Sequence, residues 1–324
     1  MRPLCLCGQR PAAINYKKDG KTYYRKKCES CNKYGTVGKG IPQWKLHGYQ
    51  KKDKCEKCGY TSKHTEQFNV FHIDGQLQNT TPNNLKTICI IPARGGSKGL
   101  PGKNLRIFNG KPLIAWPIIA ATNCERIDNV IVTTDSEEIA IQAKLYGAQV
   151  PSLRPSNLAQ DNTTTEATLR DALDKFEKLT KQHFDICVFL TCTDIFRDTN
   201  WLTNAIEKLE NNNALESVFA AHPTHKNFWQ RDKDGKLKRV LEKMKVYSSR
   251  QEKEPIYRED TGLACASRSY LWRSGKRIGN NVEIIINNNF ETSIDIHNEF
   301  DFFLAEKALE YLKKNNPEKV KLFL

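Results

Sequence analysis

Residues 93–104, ARGGSKGLPGKN, place Gly95, Gly96, Gly99 and Gly102 among Arg94, Lys98 and Lys103. Glycines let the backbone approach a ligand closely, and the cations match its charge, so the stretch reads as a polyphosphate cradle. It is not the G-x4-G-K-[ST] loop, because two of its glycines are adjacent. Near the other end, TSIDIH carries Asp295 and His297 in an alternating apolar and polar run. The front of the chain has a different chemistry. Cys5-x-Cys7 and Cys28-x-x-Cys31 supply four thiolates, enough to close a tetrahedral zinc site. Cys55-x-x-Cys58 begins a second, incomplete set, followed by His72, Asp74 and Asn84.

The elements that must position the cradle alternate along the chain. TICIIP is a short β-branched run of the kind buried in a parallel sheet, and it leads directly into the glycines. After it come KPLIAWPIIAATNC as a helix bent or interrupted at Pro117 and NVIVTTD as a second strand. SEEIAIQAKLYG is a helix capped by Ser136 and ended by Gly147, and AQVPSLRP a third strand. Asp135, at the end of the second strand, is placed either to face ligand or to cap that helix. TTTEATLRDALDKFEKL is an amphipathic helix and FDICVFLTCTD a central strand. This alternation predicts an α/β fold, a doubly wound, mostly parallel sheet that takes ligands at the carboxyl ends of its strands. Ahead of it, NYKKDGKTYYRKKC predicts a hairpin about Asp19-Gly20 inside a small zinc-binding α+β module. The expected boundary separates residues 1–87 from 88–324.

Charge and cysteine divide the chain at nearly the same place. Residues 1–89 hold 17 Lys+Arg against 6 Asp+Glu, most of the formal +14 of all 324 residues. Such an excess suits phosphate contacts with nucleic acid, so a nucleic-acid partner is expected there if anywhere. Seven of the 11 cysteines lie in that part; Cys124, Cys187, Cys192 and Cys265 read as core. A cytoplasmic, reducing location is expected, and there paired thiols read as zinc sites rather than disulfides. No run reaches the ~18 apolar residues of a membrane span, and the first residues lack a signal-peptide core, so no membrane partner is expected. Cys89 has two possible roles, as a zinc ligand closing the front module or as a residue of the strand TICIIP.

IIPARGGSKGLPGKNL…GKPLIAW, VIVTTDSEEIA, YGAQVPSLRPSNLAQD and SIDIHNEFDFFLAE resemble, in order, the acylneuraminate-type CMP-sugar cytidylyltransferases. The resemblance covers about residues 88–310. It implies transfer of CMP from CTP to the anomeric hydroxyl of an acidic 2-keto-3-deoxy sugar, with release of pyrophosphate and the help of Mg²⁺. It also implies that Arg94, Gly95, Gly96, Ser97, Lys98 and Lys103 hold the phosphates, and that Asn104, Arg154, Thr163 and Thr165 surround the cytidine. Asp295 would bind the metal. Lys103, Asp295 and His297 would form the catalytic set, and a homodimer is expected. The sugar side departs from the family pattern. Of Q-P-T-S-P-L-R only Thr193 and Arg197 remain in TCTDIFR; Y-R-E-N-G has become YREDTG, keeping Arg258; and the second Asp of I-D-I-D is His297. The implied acceptor is therefore a sialic-acid-like nonulosonate that need not be N-acetylneuraminate.

Residues of about 40–89 resemble HNH endonucleases, in which His72 would activate water, Asn84 would orient the finger and Cys55, Cys58 and Cys89 would hold zinc. Phe71 stands where that family often has a metal ligand, and Asp74 is a possible substitute. Two further readings stay open: a DNA-binding or DNA-cleaving protein whose second domain is catalytically altered, and a 3-deoxy-manno-octulosonate cytidylyltransferase.

Overall fold

The computed structural model describes residues 85–160, 162–198, 200–245, 249 and 251–324, and in the front part only the strands β1 (Ile14–Lys18) and β2 (Lys21–Tyr24). The chain divides into two compact units, Met1–Asn84 and Leu85–Leu324. In the first, β1 and β2 pair antiparallel on either side of Asp19 and Gly20, as the hairpin pattern requires. Cys5, Cys7, Cys28, Cys31, Cys55, Cys58, His72, Asp74 and Asn84 lie outside the described residues.

The second unit opens with β3 (Thr87–Pro92), followed by a short ribbon of β4 (Ile107–Phe108) and β5 (Lys111–Pro112) and helix α1 (Ala115–Thr122). Next come β6 (Asn129–Thr133), α2 (Glu137–Leu145), α3 (Thr165–Thr180), β7 (Ile186–Phe189) and α4 (Asn200–Asn211). After these the chain forms β8 (Ser217–Thr224), a hairpin of β9 (Trp229–Arg231) and β10 (Leu237–Arg239), then β11 (Ile256–Glu259) and β12 (Cys265–Arg268). It closes with α5 (Ser269–Arg273), β13 (Val282–Ile286) and α6 (Glu299–Asn315). The main sheet has seven strands in the order β11-β8-β12-β7-β3-β6, with β13 also on β8. β6, β3 and β7 are mutually parallel, as are β8 and β13; β12 and β11 run against them.

β3 lies between two parallel neighbours, so both its faces are buried. Cys89 and Ile91 pack with α1, α2 and α4 on one side, while Ile88 and Ile90 meet α3 and α5 on the other. This settles the two roles of Cys89. The residue is fully buried in the sheet, paired with Val130 and Val188, and burial raises its thiol pKa far above the ordinary range. Such a thiol resists the ionisation that zinc ligation requires. A third core, with Phe108, Trp116, Phe196, Phe302 and Phe323, packs α6 and the C-terminus beneath the ribbon.

Two expectations need correction. Pro117 neither bends nor divides its helix, because α1 begins only at Ala115 and Pro117 falls in the first turn. N–H groups there have no partner within the helix, so a proline removes nothing. The expected third strand, AQVPSLRP, shrinks to a single parallel bridge between Gln149 and Ile131. Gln149 exchanges bonds with Val130 and Val132, but Pro151 and Pro155 offer no N–H with which to extend the ladder.

Candidate active site

The glycine loop leaves the carboxyl end of β3 and is held open by bonds to its own backbone. The Gly95 N–H donates to Asp135 Oδ1 at 2.8 Å, and Asn104 Nδ2 donates to the Arg94 carbonyl at 2.9 Å. Asp135 Oδ1 is thus used in shaping the loop, and Asp135 does not cap α2. The cap is Ser136, whose Oγ accepts from the Ile139 N–H. Gly102, at φ +64°, turns the chain into the short helical turn Lys103–Leu105. Gly99 approaches so closely that a Cβ there would lie 2.4 Å from the His297 carbonyl. Opposite, Lys103 Nζ donates to the Ile296 carbonyl at 2.8 Å. The cradle and the TSIDIH segment thus form one wall of the site.

Along that wall, Asp295 Oδ2 lies 2.7 Å from His297 Nε2, while Asp295 Oδ1 is sheltered and has no hydrogen-bond partner. The capping box of α6 fixes this arrangement: Asn298 and Asp301 bond reciprocally, and Asp301 also accepts the His297 N–H. Burial lowers the Lys103 pKa, partly offset by the carboxylate of Asp295. Arg94 and Asp194 also act on Lys103, so cradle and carboxylates share one electrostatic field. Burial raises the Asp194 pKa, and the negative charge of Asp295 raises it further.

Arg154 approaches from the end of β6. It is 8% exposed and donates to Thr133 Oγ1 and to the Thr133 carbonyl, so much of its guanidinium is tied to protein. Thr163 donates to the Asn157 carbonyl, and Thr164, not Thr165, caps α3. Beyond β7, Thr193 stays half-buried at the site. Arg197, expected against the sugar, is instead 3% exposed. Its Nη2 donates to the carbonyls of Thr191, Asp194 and Gly262, clamping the turn after β7 to the loop before β12. Arg258 on β11 is half exposed and bonds through Nε to Asp260, which also accepts from the buried Asn287.

Sequence reasoning missed Asp194, Asp260, Gly262 and Asn287. Asp194 was visible as a carboxylate one residue past the matched Thr193; the others come together only through strand register. Among the described residues no three His, Cys, Asp or Glu side chains gather into a metal site. Mg²⁺ does not need three, since one or two carboxylates and substrate phosphates usually suffice. A sheltered, unpartnered carboxylate oxygen next to a basic cradle fits such an ion. No described helix is long and apolar enough to cross a membrane.

The family described as cytidylyltransferase matches residues 88–315. CMP-N,N'-diacetyllegionaminic acid synthase of Legionella pneumophila is 33% identical over 70% of this chain and 97% of its own length. N-acylneuraminate cytidylyltransferase of Escherichia coli O18:K1:H7 is 30% identical over 74% of this chain and 55% of its own. Among solved structures, CMP:2-keto-3-deoxy-manno-octonic acid synthetase complexed with CTP matches with a TM-score of 0.52 and 15% identity. That match spans 70% of this chain and 99% of the other, and it speaks for the nucleotidyltransferase fold alone. From Ile88 onward, the chain belongs to the CMP-sugar cytidylyltransferase family.

Proposed function

We propose that residues 85–324 transfer CMP from CTP to the anomeric hydroxyl of an acidic 2-keto-3-deoxy sugar of the legionaminic and sialic type. The reading is carried by one observation: a basic glycine cradle shares a wall with Asp295, whose Oδ1 is sheltered and unpartnered. Arg94, Ser97, Lys98 and the loop amides would receive the triphosphate, with Lys103 neutralising charge that grows toward pyrophosphate. Asn104 acts by holding the Arg94 backbone in place, and Arg154, Thr163 and Thr165 lie toward the nucleoside. Asp295 Oδ1 would hold Mg²⁺, which when bound supplies charge compensation on the phosphates. His297, oriented by Asp295 Oδ2, takes the proton of the sugar hydroxyl as that oxygen attacks the α-phosphorus. The bond to the β-phosphate bridging oxygen breaks and pyrophosphate leaves. Arg258 offers a fork to the sugar carboxylate, and Thr193 a hydroxyl.

Pyrophosphate release from CTP over a panel of keto-sugar acids tests this reading. Turnover with eight-carbon 3-deoxy-manno-octulosonate alone would replace it with that narrower reaction, and no turnover with any acid would sink both. His297→Ala should lower turnover about tenfold or more; full turnover with Mg²⁺ would remove His297 from the mechanism.

A cytoplasmic location and a homodimer belong to the same reading. The half-exposed Phe228, Trp229 and Leu237 of the β9–β10 hairpin region are the apolar face a second copy would cover. For the front unit the cysteine spacing and its 16 cations against 6 anions favour a zinc-held, nucleic-acid-binding module rather than an active nuclease. Zinc content of the full chain and salt-dependent DNA retention test it, and Mg²⁺-dependent nicking lost in His72→Ala would restore the nuclease.

A further inference from the structure

The turn after β7 and the TSIDIH segment meet edge to edge. Asp194 and Asp295 form an isolated antiparallel bridge, and the Ile296 N–H donates to the Thr193 carbonyl at 3.3 Å. Opposed residues of an antiparallel pair send their side chains to the same face, with Cβ atoms about 4.5–5.5 Å apart. Two carboxylates therefore stand side by side at the carboxyl end of β7, where a doubly wound sheet receives its ligand. Each has one oxygen committed to the protein. Asp194 Oδ2 accepts from Thr191 Oγ1 at 2.5 Å, and Asp295 Oδ2 faces His297 Nε2 at 2.7 Å. Of the remaining oxygens, Asp295 Oδ1 is sheltered from solvent without a partner.

The neighbouring backbone is cut away to admit this pair. A Cβ on Gly262 would lie 1.9 Å from Asp194 Oδ2 and 2.6 Å from Thr191 Oγ1. Arg197 Nη2 fixes the same loop by gripping the Asp194 and Gly262 carbonyls. Adjacent like charges repel, and a bound dication converts that repulsion into attraction.

We infer that Asp194 is the second carboxylate ligand of the magnesium ion that Asp295 holds. The inference rests on the preceding reading that this site works on CTP with Mg²⁺. Position 297 does not supply that ligand: an imidazole is a poor donor to Mg²⁺, and His297 Nε2 is engaged with Asp295. The two functions of the wall are thus divided, with metal on the Asp194 side of Asp295 and proton transfer on the His297 side.

The test uses the full chain and Mn²⁺ as the probe ion, reading CTP affinity by titration calorimetry in EDTA and again with Mn²⁺, with no sugar present. In the wild type Mn²⁺ tightens CTP binding. Asp194→Ser should lose about tenfold of that tightening, as should Asp295→Asn, each read as the ratio of its own affinities with Mn²⁺ and in EDTA. The EDTA titration doubles as the folding control. If Asp194→Ser fails it, Asp194→Asn, which keeps an acceptor for Thr191, carries the same expectation. Adding His297→Asp to Asp194→Ser places a carboxylate on the other side of Asp295 and should recover most of the tightening. Full tightening in Asp194→Ser, or no recovery in the double variant, overturns the inference. Loss in Asp295→Asn but not in Asp194→Ser overturns it and leaves the Mg²⁺ reading of Asp295 standing. No effect of Mn²⁺ on the wild type overturns both.

Discussion

The two sides of the site, which the proposed function assigns to nucleotide and to sugar, are built on different principles. On the nucleotide side, local chemistry shapes the loop: glycines give the curvature, and Asp135 and Asn104 tie down single backbone groups. On the sugar side, no short stretch determines the shape. One buried guanidinium, Arg197, gathers three carbonyls from two loops, and the bridge between Asp194 and Asp295 joins segments about a hundred residues apart in sequence. The first kind of construction tolerates changes elsewhere in the chain. The second can change its chemistry residue by residue while its frame stays, which is what TCTDIFR and SIDIH display.

The largest effect expected from this contrast is on the nucleotide side. Lys103→Ala should reduce kcat/KM by about 10²–10³, the scale for removing one preorganised charge-stabilising donor. Because burial lowers the Lys103 pKa, its positive charge is present below that pKa and is lost on raising pH earlier than for an ordinary lysine. CTP affinity measured in EDTA should therefore fall as pH rises through that lowered value, and Lys103→Ala should abolish the dependence. A fall indifferent to this substitution would place the loop's working charge elsewhere.

Next in size is Arg197→Ala, expected to destabilise the unit by about 2–4 kcal/mol as the Thr191 and Asp194 carbonyls lose its guanidinium, the Gly262 carbonyl keeping the Thr191 N–H, read as a drop in Tm. CTP affinity in EDTA should survive at temperatures where the variant is folded, because the cradle does not depend on Arg197. Equal loss on both sides would erase the distinction drawn here. Smaller again, Arg258→Ala should raise KM for the sugar acid about tenfold with CTP affinity unchanged, the signature of a lost carboxylate contact. The smallest effect is predicted at the start of β3. Cys89→Ala should leave zinc content of the full chain unaltered and cost about 1 kcal/mol of stability as a small buried truncation. A loss of zinc would return Cys89 to the front module.

How much could be read in advance follows the same division. TICIIP, the glycine cradle and the Ser136 cap are local patterns, and strand, loop and helix appear where those residue types require them. Asp295 and His297 were legible as a pair because they sit two apart on one short segment. The packing of Arg197 was not legible, since its sequence neighbourhood says nothing about the carbonyl of Gly262, 65 residues away, that its Nη2 grips. Asp194 passed unremarked for the same reason: a carboxylate becomes part of a metal site only once register places it opposite another. The lost third strand has a plainer cause. Pro151 and Pro155 offer no N–H to a neighbouring strand, so the ladder stops at the Gln149 bridge.

The bond from Lys103 to the Ile296 carbonyl spans 193 residues. Contacts of such long separation close late, because the entropy of a long loop must be overcome before they yield anything. Nearly the whole polypeptide must therefore be made before the cradle meets its opposing wall. A chain interrupted ahead of the TSIDIH segment has no Ile296 to receive the lysine. Under the proposed function, a chain that stops short of Ile296 would therefore lack the wall its cradle works against.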